Sequence, residues 1–140
     1  MLSSHLDLSD EQFEHMFQTA SLDPVLFNHE AHLRLAWIHL KNYGLQNAII
    51  NITTQLRNFV LLLGAGEKYH HTLTVAAIKM VDHFMAKSDT DNFPDFINQF
   101  PRLKTNFKDL LGQHYSAAAI SDPDARLKFL EPDILVFTKD

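Results

Sequence analysis

Apolar residues recur at helical spacing through most of this chain. Phe13, Met16, Phe17 and Ala20 follow Ser9-Asp10-Glu11-Gln12. Serine is a strong helix N-cap, and acids in the first turn suit the positive end of the helix dipole. This predicts a first helix, broken at Asp23-Pro24. Asn28 caps a second, predicted to run to Tyr43 with Gly44 as its stop. Its interior, Ala31, Leu33, Leu35, Ala36, Trp37, Ile38 and Leu40, is apolar around most of the circumference. Such a helix belongs at the centre of a fold.

A third helix is predicted over Leu45 to Leu63, with Ile49, Ile52, Leu56, Phe59, Val60 and Leu63 as its stripe and Gly64-Ala65-Gly66 as its end. A fourth starts at Tyr69 to Thr72 and ends near Ala86, burying Leu73, Ala76, Ala77, Met80, Val81 and Phe84. Phe93 to Phe100 is a short helix with Asn92 as cap and Pro94 in its first turn. Leu103 to Leu111 forms another, and Ser121-Asp122-Pro123-Asp124 opens a last one through Leu130. Asp133-Ile134-Leu135-Val136-Phe137 is β-rich, but a lone strand has nothing to pair with. It is predicted to be an extended tail. The fold class is therefore all-α: residues 1–140 form a single compact, bundle-like domain of five to six helices with an extended C-terminal tail.

Composition narrows the function classes. The chain is 46% hydrophobic and 21% charged, enough for a packed core. Its net charge is −5, with no Lys or Arg cluster, which argues against nucleic acid as a partner. It has no cysteine, which removes disulfides, thiolate nucleophiles and iron–sulfur clusters and leaves nitrogen and oxygen as metal donors. No signal peptide and no membrane span are expected, and a cytoplasmic location is consistent with both.

The candidate chemistry lies in two histidine-bearing stretches, Phe27 to Trp37 and Lys68 to Thr74. His29 and His32 are three apart, which on a helix sets their Cβ atoms about 5–6 Å from each other and lets two imidazoles meet one ion. The order His-Glu-x-His is not the zinc-protease motif. His70, three before Leu73 on the apolar stripe of the fourth helix, is the expected third ligand. Three histidines with an open position suit a divalent transition metal such as Zn, Fe, Ni or Mn. Glu30 or Asp133 would complete the shell or act as base, with Tyr69 and Thr74 orienting the site. The plain alternative is that these histidines only hydrogen-bond at helix entries. Arg34 and Lys68 read as solvated, His5, His15 and His83 as surface positions, and His114-Tyr115 as a weak pocket candidate.

The pattern Phe27-x-His29-x-x-His32-Leu33-x-Leu35-Ala36-Trp37, then Lys68-Tyr69-His70-x-Thr72-x-Thr74, then Tyr115-Ser116 and Pro132-Asp133, resembles a group of small bacterial all-α proteins of unassigned function. The resemblance implies that His29, His32 and His70 share one site. It brings no activity, substrate or metal with it.

Two function classes stay open. One is a metal-dependent or histidine-catalysed enzyme acting on a small molecule. The other is a non-enzymatic small-ligand-binding or protein-interaction module whose histidines form a structural polar network. The sequence does not set the oligomeric state.

Overall fold

The structure, a computed structural model, describes residues 3–137. Every regular element among them is helical, so the all-α class holds. No helix among them is long and apolar enough to cross a membrane. Two compact units divide the chain, Met1–Tyr69 and His70–Asp140.

The first unit holds α1 (Asp10–Gln18), α2 (His29–Tyr43) and α3 (Leu45–Leu62). Ser9 caps α1 by accepting from the Gln12 amide, and the Gln12 side chain returns to the Ser9 amide. Asn28 caps α2 through the Ala31 amide. Gly44, at φ 82°, joins α2 directly to α3, a conformation that glycine adopts without a side-chain clash. The two helices then pack antiparallel-fashion along a shared apolar seam that includes Ala48, Ile52, Leu56 and Phe59 on α3. As its apolar circumference predicts, α2 is buried from Leu33 through Leu40. Phe17, Phe27 and Phe59 meet edge to face or tilted, with centroids 4.8–5.3 Å apart.

The second unit opens with α4 (His71–Met85), followed by α5 (Phe93–Gln99), α6 (Arg102–Thr105), α7 (Phe107–Gly112), α8 (Ala117–Ser121) and α9 (Pro123–Leu127). Val75, Ala76, Ile78, Met80 and Val81 of α4 are buried, as are Phe93, Phe96, Leu103 and Leu110. The helix expected over Leu103 to Leu111 is two short ones, because Asn106 leaves the helical region at φ −133° and ψ 35°. The last predicted helix starts where expected, with Asp122 as cap and Pro123 in its first turn, but ends at Leu127 rather than Leu130, and a short helix that was not predicted, α8, precedes it.

After α9 the chain returns in extended form. Thr72, fully buried on α4, donates through Oγ1 to the Lys128 carbonyl and accepts from the Leu130 amide. The Tyr115 hydroxyl donates to the Leu130 carbonyl at 2.7 Å. Residues 133–137 then form the expected extended tail, with no strand pairing.

Candidate functional site

Of the residues singled out in the sequence, His29, Glu30 and His32 belong to the unit Met1–Tyr69, and His70 and Asp133 to the unit His70–Asp140. His29 and His32 are both exposed in the first turn of α2. The His32 ring stacks on Phe27, with centroids 3.9 Å apart and planes 23° apart. Phe27 covers one face of that ring. This loss of hydration, helped by the nearby His29, pushes its pKa down to about 4.

His70 is the N-cap of α4. Its Nδ1 accepts from the Leu73 amide at 3.1 Å, so Nε2 carries the proton and donates to the Ile120 carbonyl at 3.2 Å. Both ring nitrogens are engaged with backbone, and a metal would have to displace one of these bonds. Thr74 donates to the His70 carbonyl, closing the same cap. Among the described residues no group of three or more His, Asp or Glu side chains is arranged to hold a metal ion.

Glu30 and Asp133 also have protein partners. Asp133 accepts from the Ser116 amide at 2.9 Å and from its hydroxyl at 2.6 Å. The hydroxyl bond first, then the amide bond, holds its carboxyl below the usual range. Glu30 Oε1 accepts from His5 Nε2 at 2.8 Å.

That contact opens a network that sequence reasoning missed. His5, expected at the surface, is fully buried, and Arg34, expected in solvent, is 5% exposed. Arg34 donates to the His5 and Leu8 carbonyls and, from two nitrogens, to Asp10 Oδ1 at 2.9 and 3.3 Å. Its guanidinium lies over the Phe13 ring, 5.0 Å from the centroid. Another Arg34 N–H faces His5 Nδ1 at 3.4 Å, which leaves Nε2 as the protonated nitrogen. The partners of His5 and Arg34 lie 24 to 29 positions away in sequence, so no local spacing could signal them. The ring is wholly enclosed and both nitrogens are occupied. This is a structural clasp that ties the N-terminal segment to α2.

His39 on α2 is a second buried histidine. Asn51 of α3 approaches its Nδ1 at 3.4 Å, and Nε2 has no hydrogen-bond partner among the described residues. Burial lowers its pKa, against an opposing pull from Glu14. Glu14 also accepts from the Tyr43 hydroxyl, and the Tyr43 ring lies against His39 at 5.3 Å.

In the second unit a cleft of about 170 Å³ opens beside α4. Met80, His83 and Phe84 of α4 form one side. Leu110, Gln113 and His114, at the end of α7, form another, and Leu135, Val136 and Phe137 of the tail cover it. Most of this wall is apolar. His114 Nδ1 donates to the Leu135 carbonyl at 2.7 Å, and the Ile134 amide donates back to the His114 carbonyl at 3.0 Å. The His114 ring stacks on Phe137, with centroids 4.3 Å apart and planes 25° apart. A proton held at Nδ1 leaves Nε2 as an acceptor on the imidazole. His83, read from the sequence as a surface residue, lines the same cleft. Its position three after Met80 was the available signal, since the two share a helix face.

No protein-family profile, curated protein sequence or solved structure matches this chain.

Proposed function

We propose that the unit His70–Asp140 is a small-molecule-binding module and that the cleft beside α4 is its ligand site. This takes up the ligand-binding alternative of the sequence reading, with His114 in place of the three-histidine set. The observation that carries it is the pairing of an apolar wall with one imidazole whose tautomer is fixed by the Leu135 carbonyl. Ligand sites are commonly concave and apolar, with a few placed polar groups. A cavity of about 150 Å³ lined by aliphatic and aromatic residues takes up benzene, so the space is sufficient for a single ring.

The test is a ¹H–¹⁵N NMR titration of the full chain with toluene. Binding at this site shifts the amides around Phe84, Gln113 and Leu135. Val136→Trp, which places an indole against the cleft from the exposed tail, abolishes those shifts while the rest of the spectrum persists. Toluene shifts that ignore Val136→Trp, or no shifts at all, would overturn the assignment.

A further inference from the structure

We infer that the ligand class of this cleft is a neutral, single-ring compound carrying one hydrogen-bond donor, such as a phenol, and that the donor is read by Nε2 of His114. The inference rests on the ligand-site reading above and adds the ligand's size, charge and polarity.

Size follows from the space, about 170 Å³. This accommodates one six-membered ring with a small substituent. Shape follows from the walls. Phe84 and Phe137 both line the cleft as aromatic walls, with the His114 ring stacked on Phe137. Flat faces favour a planar guest through offset or edge contacts.

Polarity follows from His114. Its Nδ1–H is committed to the Leu135 carbonyl, so the neutral ring has an acceptor to offer at Nε2 and no second N–H. A ligand hydroxyl satisfies that acceptor. A hydrocarbon of the same shape leaves it unmatched, and a carboxylate sets acceptor against acceptor. Charge follows from the same acceptor, because Nε2 of the neutral ring offers a carboxylate no proton.

The experiment compares phenol, toluene and benzoate by NMR titration of the full chain, in the wild type and in His114→Phe. Phenylalanine keeps a ring against Phe137 and removes the acceptor. His83→Phe serves as a control for the other histidine, and circular dichroism checks that each variant is folded. In the wild type, phenol binds about fivefold more tightly than toluene, the size of one net hydrogen bond, and benzoate binds least. The phenol preference disappears in His114→Phe and persists in His83→Phe. Equal binding of phenol and toluene by the wild type, or tightest binding of benzoate, would overturn the ligand class and leave the ligand site standing. A phenol preference retained in folded His114→Phe would overturn the role of His114. Failure of all three compounds to shift the cleft amides would overturn both readings.

Discussion

The Nδ1–H of His114 donates to the Leu135 carbonyl oxygen across 2.7 Å. This bond fixes the tautomer of a histidine lining the cleft and holds down the tail that covers it. Asp133 anchors the start of the same tail through two bonds to Ser116. Hydrogen bonds to a charged acceptor are shorter and stronger than neutral ones. Asp133→Ala is therefore expected to raise amide hydrogen exchange at Ile134 and Leu135 at least about tenfold, with α2 and α3 unchanged. Unaltered exchange at those two amides would show that the tail is held by other contacts.

The clasp around Arg34 gives a stability prediction. Arg34→Ala strips donors from the His5 and Leu8 carbonyls and leaves Asp10 unpaired. The expected loss is about 3 kcal/mol in urea unfolding, because breaking a buried charged network leaves polar groups uncompensated. Arg34→Lys recovers only part of it, since an ammonium cannot reproduce the planar fork. A loss below about 1 kcal/mol, typical of surface pairs, would contradict the clasp.

Helix ends were legible in the sequence because caps are local. Ser9, Asn28 and Asn92 each bond an amide three residues ahead, and Gly44 stops α2 where its sequence predicted. The break at Asn106 was not legible, because flanking apolar spacing continues through it, whereas the helix start at Asp122-Pro123 was. The same locality left two readings of His70. Its position three before Leu73 suits a ligand facing the core, but it is equally the spacing of an N-cap, which is the role His70 takes. Arg34 and His5 were misread for the opposite reason, since burial of a charge depends on partners that only the tertiary fold supplies.

If His70 is a cap, its replacement should follow cap chemistry. His70→Asn keeps an acceptor for the Leu73 amide and is expected to unfold within about 0.5 kcal/mol of wild type, whereas His70→Ala loses about 1 kcal/mol. Equal losses in the two variants would argue for a role of the imidazole beyond capping.

His32 predicts a pH dependence. Its folded pKa, about 4, lies below the ordinary 6.5, so the unfolded chain takes up the proton first as pH falls. Its contribution to stability is complete above about pH 6.5 and is lost progressively as pH falls toward 4. In His32→Phe, which retains a ring on Phe27, the fall in stability between pH 7 and pH 4.5 should be smaller than in wild type. An NMR titration of the His32 ring with an ordinary midpoint would contradict the loss of hydration described at α2.

His39 carries the opposite expectation from most core substitutions. With Nδ1 accepting from Asn51, its Nε2–H is buried and has no partner among the described residues, and such a group costs about 1–3 kcal/mol. His39→Phe removes that group at similar volume and is expected to be neutral or to stabilise by about 1 kcal/mol. A clear destabilisation in urea would mean that Nε2 is satisfied in solution, by water or a bound group.

The most direct test of the ligand site is an intermolecular NOE experiment on the full chain with phenol. Expected are NOEs from the phenol ring to the Met80 methyl and to the side chains of Phe84 and Leu135, all absent in Val136→Trp. Phenol NOEs confined to residues outside that cleft, or the same NOEs surviving in Val136→Trp, would contradict the account.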